Sequence, residues 1–273
     1  MIQDLYIPKS KRLQQVINFM SYAEQQPTDP CEDWLSLFPN VTTNIAICLS
    51  DHIEFKDTKR ETGVSTACTT TVSMKCTHNL RLVTVQFKPY GLYAFKRIPM
   101  HQLLNANNSM EMLFPQSDCE RLRDELLCAN EVRQLFEILE NYMERQVQNI
   151  CFDTRLSHLI SMIHTSNRLT MDELSDEACL SARGLRKLFT NQIGLSPGYY
   201  QKIIRFNKTA QQLSLKSNQS FTEVALLNGF YDQAHFIKDF KSIAGISPGE
   251  YCRTHGKSSD FYNFRSEAPI TFE

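Results

Sequence analysis

The chain has 273 residues, 42% hydrophobic and 22% charged, the composition of a globular protein with room for two ordinary domains. No apolar run approaches the ~18 residues that cross a bilayer, and residues 1–5 lack the basic start and apolar stretch of a secretory signal, so a cytoplasmic chain that touches no membrane is expected. Residues 1–150 carry 15 cationic and 18 anionic side chains, residues 151–257 carry 13 and 9, and the remainder 1 and 3; positive charge collects in one region, but the excess is too small to indicate nucleic acid by itself.

In chain order, the first elements are β-rich runs at 44–49, 65–74 and 80–87. The last alternates Val83, Val85 and Phe87 with Leu82, Thr84 and Gln86, the pattern of a half-buried strand, and a small antiparallel sheet or barrel is expected. Only Gly63 and Gly91 occur in the first 150 residues, few for the tight glycine turns of a regular barrel. A helix is expected over 118–128, followed by an amphipathic one with Val132, Leu135, Phe136, Leu139, Tyr142 and Met143 along one stripe. Such a stripe is more often domain core than a dimer interface.

The nine cysteines are odd in number and irregularly spaced, which argues for reduced thiols. The closest group, Cys68, Cys76 and His78, lacks the second pair that a tetrahedral zinc site needs, so no metal is expected. No catalytic constellation stands out, and neither enzyme activity nor a cofactor is expected. A short linker is read at 148–153, because Leu156, Leu159, Ile160 and Ile163 already open a new helical face.

The main signal follows. Leu185 to Phe189 and then Gly194, Ser196, Pro197 and Tyr200 recur 51 residues later as Phe236 to Phe240 and then Gly245, Ser247, Pro248 and Tyr251. Upstream, Thr170 with Glu173 and Ser220 with Glu223 form S/T-x-x-E pairs, in which hydroxyl and carboxylate each satisfy a free backbone N–H at a helix start. Their offset is 50, so the second copy has one extra residue in the turn that follows. Ser181 and Asp232 are then matching caps of the next helices. Each copy reads as helix, tight turn, helix, ending near Gly194 or Gly245 where glycine supplies a left-handed cap. Gly229 suits the second turn, whereas Cys179 and Leu180 occupy the first.

Between the copies, Ser196 caps and Pro197 opens a connecting helix to about residue 215, with Tyr200, Ile203, Ile204, Phe206, Ala210 and Leu213 available for packing. On the helix after Ser181, inward Leu185, Leu188 and Phe189 turn Arg183, Arg186 and Lys187 outward together. On the helix after Asp232, inward Phe236 and Phe240 leave Gln233, Ala234, Ile237 and Lys238 outside, with Lys241 a turn further and Lys202 on the connecting helix contacting phosphate or nothing. Arginine and lysine suit guanine or phosphate, glutamine suits adenine, and Ala234 and Ile237 suit thymine methyl groups, although marginal burial accounts for Ile237 equally well. His235 reads as a packing residue.

These features make residues 154–256 resemble the DNA-binding domain of the AraC/XylS family of bacterial regulators. Gly229, Phe230 and Asp232, the Phe236 and Phe240 spacing, the Gly-x-Ser-Pro-x-x-Tyr endings, and Tyr200, Arg205 and Leu213 carry the resemblance. Ser175 and Thr209 depart from it, standing where the family has alanine, as does Cys179 where it has glycine. The segment from Val85 to Phe114 is similar to sensor domains that precede this domain in some members, which implies a cupin-like β-rich fold. The resemblance implies an α+β chain: residues 1–150 a sensor or dimerisation domain, 151–257 an all-α pair of helix-turn-helix units joined by a long helix, and 258–273 a polar tail. It also implies a transcription regulator whose partners are promoter or operator DNA and RNA polymerase, with a small-molecule effector and a homodimer left open. The alternative, an alkyl-transfer DNA-repair enzyme with the same DNA-binding domain, calls for clustered cysteine ligands and a Pro-Cys-His setting that the chain lacks.

Overall fold

Residues 81–87 put Val83, Val85 and Phe87 on one face of a strand and Leu82, Thr84 and Gln86 on the other, which suits a position inside a layered sheet. A computed structural model describes residues 2–25, 35–50, 52–55, 58–76, 79–105, 107–147, 149–166, 168–214 and 220–254. Cys31, His78, Gln148 and the tail at 258–273 lie outside them, as does the side chain of Cys76.

The larger of two antiparallel sheets runs in the order β1 (Ile2–Tyr6), β2 (Ile17–Glu24), β9 (Arg81–Phe87), β4 (Thr43–Cys48), β7 (Thr62–Ser65) and β10 (Asn107–Asn108). The smaller runs β3 (Leu35–Leu37), β8 (Val72–Cys76), β5 (Ile53–Phe55) and β6 (Thr58–Arg60). In β9, Val83 stands opposite Tyr22 on one side and Ile47 on the other, so Val83, Val85 and Phe87 share a face with Met20, Tyr22, Ile45 and Ile47. Helices α1 (Gly91–Lys96), α2 (Gln116–Leu127) and α3 (Val132–Gln146) cover that face, and Leu135, Phe136, Leu139, Tyr142 and Met143 of α3 are all buried in the same core.

The other face of β9 is not open to solvent, as a half-buried strand would have it. Leu82 and Cys48 meet Ile53 and Met74 of the smaller sheet, and Gln86 is 2% exposed, accepting a hydrogen bond from Asn18 at 3.0 Å. The expected run at 65–74 is likewise two strands, because 66–71 leaves the sheet to meet the C-terminal half: Thr71 donates to the Ile243 carbonyl at 3.2 Å, and Ala67 is buried in a helical core. Left-handed turns are made without glycine, at Arg97 (φ 59°) and Asn105 (φ 60°).

The C-terminal half contains α4 (Thr154–Thr165), α5 (Met171–Glu177), α6 (Ala182–Gln192), α7 (Pro197–Ser214), α8 (Phe221–Leu227), α9 (Gln233–Ala244) and α10 (Pro248–Thr254). Both expected capping boxes form, Thr170 with Glu173 and Ser220 with Glu223. Ser181 and Asp232 cap α6 and α9 through the N–H groups of Gly184 and His235. The connecting helix α7 serves two cores. Tyr200, Ile203 and Ile204 pack with Leu159, Leu185 and Phe189, while Phe206, Ala210 and Leu213 pack with Val224, Phe236 and Phe240.

The positions where the first unit departs from the family show their consequences. Cys179 takes a left-handed φ of 49°, the conformation Gly229 adopts without strain at 74°. Ser175 is 8% exposed with its hydroxyl unpartnered, whereas its counterpart Ala225 is fully buried. Ser175→Ala should therefore raise stability by about 1 kcal/mol, measured by urea denaturation. An unchanged or lower midpoint would mean that the hydroxyl has a partner. Thr209 bonds the Arg205 carbonyl at 2.7 Å and is satisfied within its own helix.

The two halves are joined by insertion of side chains. Val41, Ala67 and Tyr90 complete the core of the first helical unit, and Phe38 enters that of the second, edge-on to Phe206 at 5.7 Å. The segment before α4 is fastened, with Phe152 stacked on Tyr90 at 4.2 Å. Gly194 (φ 93°) lies so near this junction that a Cβ there would stand 3.0 Å from the Met100 carbonyl oxygen.

Candidate nucleic-acid interface

A helix can offer one face to a ligand only when its other face is fixed. In the first unit, Leu185 and Phe189 are fully buried, and Phe189 meets Tyr200 at 5.9 Å. This leaves Arg183, Arg186 and Lys187 exposed, with no hydrogen bond or ion pair among the described residues. No acidic residue lies within α6, so the cationic face is uninterrupted.

The second unit is built differently. Phe236 and Phe240 are buried, and Gln233, Ala234, Lys238 and Lys241 are exposed. Gln233 is partly committed, since its Oε1 accepts from the Thr222 hydroxyl at 2.9 Å; this holds the side chain in place and leaves its N–H donors available. Ile237 is half-buried and packs against its own unit's core, so only part of it faces outward. Of the two readings of Ile237, the marginal burial is present, and it is against its own unit.

Lys202, expected to contact phosphate or nothing, is 3.2 Å from Asp239 and 3.0 Å from the Ser242 hydroxyl. Asp239 also meets Arg205 at 3.5 Å and His235 at 3.4 Å, while the Arg205 guanidinium lies 4.7 Å from the centre of the Phe230 ring. This cluster ties α9 to α7 and sets the direction of the second exposed face. Sequence reasoning missed Tyr231, which is 82% exposed immediately before the Asp232 cap. The signal was available in its place beside a helix start, but an aromatic there reads equally as packing.

One buried titratable group affects the first unit. His164 of α4 bonds the Tyr200 hydroxyl at 3.0 Å, and burial, with the Lys208 ammonium nearby, lowers its pKa to about 4 from 6.5. The folded unit holds the ring neutral, whereas the unfolded chain protonates it near 6.5. The stability it contributes is thus complete above that value and lost as pH falls towards 4, by on the order of 2 kcal/mol. Denaturation midpoints from pH 7.5 to 4.5 should show the fall, flattened in His164→Gln; parallel profiles for the two proteins would refute it. The capping carboxylates Glu173 and Glu223, held below the usual carboxylate range by their bonds to Thr170 and Ser220, keep their stabilising contribution at neutral pH and lose it only at the acid end of this window and below.

The fold defines a double helix-turn-helix protein, with α5–α6 and α8–α9 as the two units. Residues 174–254 match a family model described as a helix-turn-helix domain, and residues 6–109 match a domain of unknown function (DUF6597). The chain is 36% identical over 107 residues to the HTH-type transcriptional regulator MtrA of Neisseria gonorrhoeae, covering 38% of this chain and 35% of that protein. It is 34% identical over 100 residues to the HTH-type transcriptional activator RhaS of Escherichia fergusonii, covering 36% of each. The chain thus spans about a third of the length of these relatives. A solved structure of ToxT from Vibrio cholerae aligns with 92% of this chain and 97% of its own, at 13% identity and a TM-score of 0.45. Over this C-terminal region, residues 174–254, the chain is similar to helix-turn-helix transcriptional regulators of the AraC type.

Proposed function

We propose that the protein is a sequence-specific transcription regulator in which α6 and α9 enter successive major grooves on one side of promoter or operator DNA. Arg183, Arg186 and Lys187 read or anchor the first groove; Gln233, Ala234, Ile237 and Lys238 meet the second, with Lys241 on a phosphate. The connecting helix has 18 residues, or ~27 Å at 1.5 Å per residue, comparable with the ~34 Å turn of B-DNA. Residues 151–257 form the DNA-binding part, and residues 1–150 exert control by sensing a small molecule or by pairing two copies. Residues 258–273 form a polar tail. The protein acts in the bacterial cytoplasm without catalysis, with RNA polymerase as its protein partner.

The observation that carries this reading is the set of five exposed cations, Arg183, Arg186, Lys187, Lys238 and Lys241, without internal partners among the described residues, on two helices whose caps stand 51 residues apart. The test is a hydroxyl-radical footprint of the full chain on duplexes selected from a random pool. Two adjacent major grooves should be protected on one side for each chain. Protection of one groove, or selection of no sequence, rejects it.

A further inference from the structure

The junction between the halves holds a cleft of about 700 Å³ that the DNA reading does not use. Lys11, Gln14 and Lys88 line it from the N-terminal half; Thr154, Ser157 and Ser161 line it from α4, the first helix of the C-terminal half. Its volume lies within the range of small-molecule sites.

Its charge is one-sided. The lining contains no aspartate or glutamate, and neither lysine ammonium has a hydrogen bond or ion pair among the described residues. The lining residue with an acidic partner is His158 at the rim, 2.8 Å from Glu177. Lys88 is half-buried at the end of β9, its backbone fixed by a 2.9 Å bond from its N–H to the Val16 carbonyl, and burial lowers its pKa. A half-desolvated ammonium without a counter-charge is costly to hold, and an arriving anion removes that cost. Tyr90 and Phe152, stacked with ring centres 4.2 Å apart, give the cleft an aromatic wall.

We propose that this cleft binds a small organic or inorganic anion bearing a carboxylate or phosphate, with its charge held by Lys88 and Lys11 and its polar groups met by the hydroxyls of α4. The site stands apart from the DNA reading; only its regulatory meaning, a ligand that fastens the first helix-turn-helix unit to the N-terminal half, rests on that reading.

The test is thermal denaturation of the full chain without DNA, in sodium phosphate or sodium benzoate against sodium chloride of equal ionic strength. A ligand that binds only the folded form raises Tm with concentration. The rise should vanish in Lys88→Gln and shrink in Lys11→Gln, an exposed position, yet persist in Lys187→Gln on α6. Without added anion, Lys88→Gln should melt no lower than the parent, since it loses an unpaired charge. A rise with phosphate alone assigns a phosphate ligand, a rise with benzoate alone a carboxylate, and both together recognition by charge. No rise with either anion, or an equal rise in Lys88→Gln, overturns the proposal. The equal-rise arm also exposes general stabilisation of the fold by exclusion of phosphate from the protein surface, which no lysine substitution would remove.

Discussion

Phe240→Ala should cost about 3–5 kcal/mol of stability, the usual range for removing a buried aromatic ring. Phe240 is 1% exposed and meets three rings, Phe206 at 4.9 Å, Phe236 at 5.7 Å and Tyr251 at 5.5 Å. These belong to α7, α9 and α10, so the cavity opens where three elements meet and cannot close by shifting one of them. Phe240→Leu, which retains most of the volume, should cost less than about 1.5 kcal/mol. Urea denaturation followed by circular dichroism measures both. The alanine variant should also lose protection of one major groove while retaining the other, since Phe189 and Tyr200 of the first unit are untouched. Equal midpoints for the two variants would contradict the packing account.

Arg186→Ala should weaken specific DNA binding by about 1–3 kcal/mol, roughly 5- to 160-fold, and relax preference at one base position. The exposed guanidinium has no internal partner, so its removal leaves nothing unpaired in the free protein and the loss appears in the complex. Lys187→Ala serves as the comparison: a phosphate contact weakens all sequences alike and lowers the salt slope by about one. Gln233→Ala should relax preference in the second groove, because its Thr222 bond already holds the side chain in one orientation. Titrations on the selected duplex and its single-base variants at two salt concentrations separate these effects. Unchanged affinity and base preference for both Arg186→Ala and Gln233→Ala would remove α6 and α9 from the interface.

The helical half was legible in the sequence because its signals are local. A hydroxyl three residues before a glutamate, a glycine past a helix end and phenylalanines four apart each specify geometry within one or two turns, and the 51-residue repeat states them twice. Lys202 was misread because its partner, Asp239, lies on a different helix and the ion pair depends on how α7 crosses α9. Ile237 fell between two readings for a similar reason: periodicity places it at the edge of the buried face, and only the packing decides how much is covered.

The sheets were less legible. β9 was found through its alternation, but β1 and β2 went unread, since the buried run in β2 interrupts any period of two. The break between β7 and β8 follows from contacts made by Ala67 far along the chain, which no local pattern announces. The cleft with Lys11 and Lys88 is of the same kind: residues 77 positions apart meet a third segment beyond residue 150.

Phe38 and its neighbours bear on how such proteins are recombined. A regulator whose reading heads end in self-sufficient cores can be cut at the hinge and spliced to a foreign sensor. Here the second reading head borrows an aromatic plug from the preceding half, and the first borrows Val41, Ala67 and Tyr90. A chimera joined at residue 151 would leave two greasy sockets facing water, so a donor sensor must supply its own plugs at both places before the hybrid can stay dispersed in solution.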